Sequence, residues 1–228
     1  MRPSVADQRL PIPKEGLRFD AVAFDLLTAL MDSWSLWISV AGDEDLGRRW
    51  RRASLRLVTT AGRYRSYETI VREATDEVGL ALSKADELIE HWTSGELRPW
   101  PEAPAVLAQL SAQGWRTVVV TNCSQCLAEA AAAATGHHFD AIISAEHAGI
   151  YKIEPGAYQA GLAALGGLPP ARVLFVAGSA HDVPGAGAVG MPVYWSNRFG
   201  EPVPAGAPAP LADARDLSGL PERLAHPD

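Results

Sequence analysis

Apolar runs recur along the chain in a pattern that is neither alternating nor helical. "FDAVAFDLL" (19–27), "RTVVVTN" (116–122), "FDAIISAE" (139–146), "RVLFVAG" (172–178) and "MPVYWSN" (191–197) are each bounded by polar or glycine positions. Unbroken apolar runs of this length fit strands buried on both faces. Helix-period segments lie between them, at 101–114, 124–136 and 154–167, and the first two stop at Gly114 and Gly136, as helices ending in a left-handed cap do. The alternation predicts an α/β fold, a Rossmann-like doubly wound parallel sheet with helical crossovers.

The rhythm breaks after the first strand. Residues 32–98 carry amphipathic helical spacing and no convincing strand, and "LRPWPEAP" (97–104) is a proline-rich return, so an inserted helical cap is expected over 32–98. The core is then 18–31 with 99–228, and 1–17, rich in proline and charge, is expected to be a flexible leader.

Composition narrows the function. With 228 residues, 47% hydrophobic and 21% charged, the chain can bury a sizeable core. A net charge of -7 argues against a nucleic-acid partner. The basic stretch "GRRWRRASLR" (47–56) has the spacing of a solvated helix face. No window approaches the roughly 18 apolar residues of a membrane span, and the N-terminus lacks the apolar centre of a signal peptide, so no membrane partner and a cytoplasmic location are expected. Cys123 and Cys126 are too close for a fold-stapling disulfide and suit redox chemistry or half a zinc site. His137, His138, His147 and His181 offer no matching zinc spacing.

Open parallel sheets place their sites at the carboxyl ends of strands. Those ends carry Asp25, then Thr121 and Asn122, then Lys152, then Ser179, His181 and Asp182. Asp25 is the unusual one, a single carboxylate among Leu, Thr and Ala; it is either a helix cap or a nucleophile kept in an apolar setting.

The motifs "FDLLTALMD", "VVVTNCS", "YKIEPGAY" and "FVAGSAHDVPGAGAVGMP", in that order and with a long insertion after the first, resemble the haloacid dehalogenase superfamily, specifically its (S)-2-haloacid dehalogenase branch. The resemblance implies that Asp25 displaces a leaving group from C2 of a small 2-substituted carboxylic acid, and that water then hydrolyses the aspartyl ester. Within the insertion, "WRRASLRLVTTAGRY" (50–64) resembles the dehalogenase cap, which makes Arg51 the acceptor of the leaving group. Lys152 would keep Asp25 ionised, Asp182 would orient Lys152 and activate water, and His181 is a candidate acid or base. Leu26, Leu27, Thr28, Trp34, Thr121, Asn122, Tyr158 and Ser179 are the expected substrate-binding residues. An anion attacking an anionic acid meets repulsion of about 4 kcal/mol at about 4 Å with an effective dielectric near 20, which Lys152 and Arg51 would offset.

Two departures from the superfamily's phosphatases bear on metal. Leu27 stands where they carry a general-acid aspartate, and Gly178 where they carry a metal-ligating one. No metal and no cofactor are therefore expected. Departures from the dehalogenases, Leu27, Thr28 and Ala29 in place of Tyr, Gly and Thr, leave the leaving group open. Ring opening of a cyclic amino acid such as azetidine-2-carboxylate, with His181 as proton donor, is the first alternative; a phosphatase, a C-x-x-C redox protein and an inactive binding module follow. The resemblance also admits a homodimer.

Overall fold

The computed structural model describes residues 18–226, so the expected leader at 1–17 lies outside the described residues. Strand β1 (Ala21–Phe24) is followed by a single π-helical turn (Leu26–Leu30), then by α1 (Ser33–Ala41), α2 (Glu44–Ala61), α3 (Tyr67–Glu77) and α4 (Ser83–Thr93). The chain returns through α5 (Ala103–Ala112), β2 (Arg116–Thr121), α6 (Gln125–Ala134), β3 (Ala141–Ser144), α7 (Ala145–Ala148) and α8 (Pro155–Ala164). It closes with β4 (Val173–Ala177), α9 (Asp182–Ala188), β5 (Val193–Ser196), β6 (Ala212–Ala214) and α10 (Leu220–Ala225).

The six strands form one sheet in the order β3-β2-β1-β4-β5-β6, parallel at every pairing. This is the doubly wound α/β architecture that the alternating runs predict. Its strands are apolar throughout because both faces are covered. Val22, Phe24, Val119, Leu174 and Val176 pack into one core, and Ala21, Ala23, Val118, Val120 and Phe175 into the other, the two-residue period sorting them by face.

Where the chain leaves and re-enters the sheet it crosses itself as two antiparallel segments. Met31 bridges Pro99, Asp32 N–H donates to the Arg98 carbonyl at 2.8 Å, and Trp100 N–H donates to the Leu30 carbonyl at 2.9 Å. The helices between are held by rings: Trp37 meets Trp50 edge-on at 4.6 Å, and Tyr67 meets Trp92 at 6.0 Å. The Trp92 indole N–H donates to the Leu127 carbonyl on α6 at 3.1 Å, which ties this helical layer to the sheet layer.

The first apolar run does not continue as a strand to residue 27. β1 stops at Phe24 because the Asp25 side chain accepts the N–H groups of Thr28 and Ala29, which diverts the chain into the turn Leu26–Leu30. β6 carries no apolar run and is half exposed between proline-rich segments, so nothing in its residues announces a strand. The turn after Asp25 rests against Gly178 at the end of β4. A Cβ on Gly178 would lie 2.2 Å from both the Ala29 nitrogen and the Thr28 carbonyl carbon, a collision with backbone that no rotamer relieves. Gly178→Ala should therefore cost about 2 to 3 kcal/mol in urea unfolding, with the loss centred on the Asp25 turn; a change below about 0.5 kcal/mol would show that the turn gives way freely.

Candidate active site

β1 is the strand at which the winding reverses, since the chain steps from β1 to β2 and β3 on one side and then returns to β4 on the other. A crevice forms at the carboxyl end of such a strand, and Asp25 stands there. Its N–H extends the β1–β4 pairing by donating to the Val176 carbonyl at 2.9 Å.

The two oxygens of Asp25 are treated differently. Oδ2 accepts three hydrogen bonds, from Thr28 N–H at 2.9 Å, Thr28 Oγ1 at 2.7 Å and Ala29 N–H at 3.0 Å. Oδ1 accepts from Lys152 Nζ at 2.7 Å. Asp25 is thus a helix cap through one oxygen, as one reading of the sequence has it, and an ion-pair partner of Lys152 through the other.

Lys152 Nζ also donates to Asp182 Oδ2 at 3.0 Å, and Asp182 Oδ1 accepts from the Tyr158 hydroxyl at 2.7 Å. The four side chains form one buried line, with Asp25 5% exposed and Lys152 and Asp182 3% each. Asp182 opens α9. Tyr158 projects from α8 and packs edge-on against Phe175 at 5.3 Å. Gly185 makes room for it, because a Cβ there would lie 2.4 Å from the Tyr158 hydroxyl. The Lys152 backbone is clamped by the Asn122 amide: Oδ1 accepts the Lys152 N–H at 2.7 Å and Nδ2 donates to the Lys152 carbonyl at 3.0 Å.

These contacts push the two carboxyls apart. For Asp25, burial acts to raise the pKa, but the Lys152 charge and the hydrogen bonds from Lys152 and Thr28 outweigh it and hold the carboxyl below its ordinary range. For Asp182, burial also raises the pKa; Lys152 lowers it, Asp25 raises it again, and the net is above the ordinary range. Burial alone would lower Lys152, yet Asp182 and Asp25 together hold it above the usual lysine value. The two carboxyls are thus displaced in opposite directions around one cation.

A cavity of about 30 Å³ opens on this line, with Asp25, Thr28, Arg51, Lys152, His181 and Asp182 in its wall. Arg51 reaches it from α2. It is only 2% exposed, its guanidinium sits 5.3 Å from the Trp37 ring and 6.0 Å from that of Trp34, and its Nε makes no hydrogen bond. Among the described residues no carboxylate pairs with it. A buried cation without a carboxylate partner is costly, and Arg51 lines the cavity.

Several predicted residues sit elsewhere than on the substrate side. Leu27 and Ser179 line the cavity, but Leu26 is buried in the core. Thr121 is buried, its hydroxyl 3.9 Å from Cys123 Sγ, while Asn122 lines the cavity with its amide bonded to the Lys152 backbone. Tyr158 touches Asp182 rather than the cavity, and Trp34 lines a neighbouring cavity. His181 is exposed yet also lines the cavity, outside the hydrogen-bonded Asp25–Lys152–Asp182 line. Leu55, Val58 and Thr59 also line the cavity; the helical spacing 51, 55, 58, 59 on α2 is the signal that would have found them. Cys123 is buried and its thiol is pushed up to about 12, chiefly by burial, which opposes the thiolate that redox chemistry needs.

The site does not fit the magnesium ion that the superfamily's phosphatases carry. The position for a second carboxylate is Gly178, where any side chain collides with the Thr28–Ala29 backbone. Asp25 Oδ2 already accepts three donors, and among the described residues no group of three or more His, Cys, Asp or Glu side chains gathers.

The fold and this line of charges define a hydrolase with an aspartate at the end of its first strand. The haloacid dehalogenase-like hydrolase family model matches residues 19–190, and the chain belongs to that family. (S)-2-haloacid dehalogenase H-109 of Pseudomonas putida is 28% identical over 219 residues, covering 90% of this chain and 97% of the relative. A phosphoserine phosphatase of Thermus thermophilus is 30% identical over 170 residues, covering 71% of this chain and 68% of the relative. Among solved structures, L-2-haloacid dehalogenase of Xanthobacter autotrophicus with chloropropionic acid covalently bound shares the fold, with a TM-score of 0.81 at 24% identity over 91% of this chain and 99% of that one. No described helix is long and apolar enough to cross a membrane.

The charge line makes a pH prediction. Asp25, with its depressed pKa, contributes stability above the ordinary carboxylate range and loses it as pH falls through the lower folded value; Asp182, raised, works in the opposite sense, favouring the fold at low pH and opposing it as its proton leaves. In Lys152→Met the burial of Asp25 is opposed only by the hydrogen bonds of its own turn, so the acid limb of the activity profile should move to higher pH and kcat/KM should fall about a thousandfold. An acid limb that stayed in place would mean that Lys152 does not set the charge of Asp25.

Proposed function

We propose that the chain is a metal-independent 2-haloacid dehalogenase in which Asp25 is the nucleophile and residues 32–98 close the site as a cap. The observation that carries this reading is the asymmetry of Asp25 beside a cavity that it lines together with Arg51, a guanidinium with no carboxylate partner: Oδ2 is tied to three donors while Oδ1 is held by a single Lys152 contact.

Oδ1 attacks C2 of the acid from the side opposite the leaving group; the Oδ1–C2 bond forms as the carbon–halogen bond breaks, and the halide departs with the electron pair toward Arg51. Inversion at C2 follows from that geometry. The product of this step is an ester of Asp25, whose Oδ2 has become its carbonyl oxygen. Thr28 N–H, Thr28 Oγ1 and Ala29 N–H are then an oxyanion hole, since the charge that develops when water adds to Cγ falls on Oδ2. Each such donor is worth on the order of 10² to 10³ in rate. Asp182, the carboxylate with the raised pKa, takes the proton of the attacking water and returns one to the departing hydroxy acid, while Lys152 offsets the charge between them. The names of the relatives support a halide as the leaving group. The exposed place of His181, apart from the charge line, does not favour the ring-opening alternative.

The expected result is release of chloride from (S)-2-chloropropionate with formation of (R)-lactate, unchanged by EDTA. Arg51→Leu should lower kcat about a hundredfold without moving the pH profile. Loss of activity on chelation, or phosphate release from phosphoserine at a comparable rate, would overturn the assignment.

A further inference from the structure

We infer that the substrates are 2-halo acids bearing an aryl group on the third carbon, and that a second cavity beside the Asp25 chamber receives the ring; this rests on the reading of Asp25 as nucleophile. The chamber itself has a volume of about 30 Å³, and the neighbouring cavity about 300 Å³. The two share Thr28, Leu55, Thr59, Ser179 and His181, so they meet along one wall. The rest of the chamber wall includes Val58 and Ile153 as well as the charged line. A substituent on the third carbon leaves through the shared wall.

What it meets there suits a flat hydrocarbon. Phe199, in the loop after β5, is a large apolar ring that is 50% exposed, and it lies edge-on to Trp34 at 5.7 Å and 79°. Both rings line the second cavity, with Ala180 and Leu55. Aromatic pairs of this kind extend naturally to a third ring, and about 300 Å³ is the lower end of the range for small-molecule sites. The charges at the cavity are of both signs: Arg56 is paired with Glu77, and Arg52 and Glu201 both line the cavity. A neutral ring suits a lining with no surplus of either charge.

The test is chloride release from (S)-2-chloro-3-phenylpropionate against (S)-2-chloropropionate. Wild-type kcat/KM should favour the phenyl acid by at least about tenfold. Phe199→Ala should raise KM for the phenyl acid alone, and Ala180→Phe, which fills the cavity, should remove the preference while sparing the smaller acid. Equal kcat/KM for the two acids, or variants that slow both alike, would overturn the inference. If neither acid releases chloride, the nucleophile assignment fails and the cavity is judged by calorimetry. Tighter binding of 3-phenylpropanoate than propanoate, lost in Phe199→Ala, upholds the ring site, and equal affinities refute it.

Discussion

One ammonium group between two carboxylates is the constraint on which the rest of the site depends. Lys152 Nζ lies 2.7 Å from Asp25 and 3.0 Å from Asp182, and all three side chains are buried. Removing Lys152 would leave an uncompensated carboxylate in the interior, a loss of about 3 to 5 kcal/mol for a buried pair. The arrangement is not symmetric. Asp25 also draws on the donors of its own helical turn, and Asp182 draws on one phenol, so the first is held ionised and the second is held closer to its proton. Environment alone gives two chemically identical groups opposite titration behaviour.

The backbone around this line is shaped to permit it. Gly178 lets the Asp25 turn descend onto the end of β4, and Gly185 lets the Tyr158 hydroxyl reach Asp182. Asn122 fixes the Lys152 peptide through both of its amide groups. The Asp25 turn can seat there only because Gly178 lacks a side chain, since a Cβ would meet the Thr28–Ala29 backbone.

The parallel sheet was legible in the chain because strands buried on both faces read as apolar runs, and Asp25, Lys152 and Asp182 were legible because each follows such a run. The turn at Leu26–Leu30 was hidden: its leucines extend the apolar pattern of β1, and only the hydrogen bonds from Thr28 and Ala29 to Asp25 show that the backbone has changed course. β6 was hidden because its residues, Ala212, Asp213 and Ala214, are at the sheet edge and only half covered. The partners of Asn122 and Tyr158, the Lys152 backbone and Asp182, were not legible. Spacing along a chain says that a side chain is near a strand end, and it does not say whether that side chain faces a cavity or a neighbouring lysine.

The central claim, that Asp25 becomes covalently esterified and that water attacks its own carboxyl carbon, is tested most directly by a single turnover in ¹⁸O-water followed by mass analysis of the peptide containing Asp25. The account predicts that the label enters the Asp25 carboxylate and that the hydroxy acid leaves with an unlabelled oxygen taken from Asp25. A labelled product with an unlabelled Asp25 would mean that water attacks the substrate directly, and would contradict it.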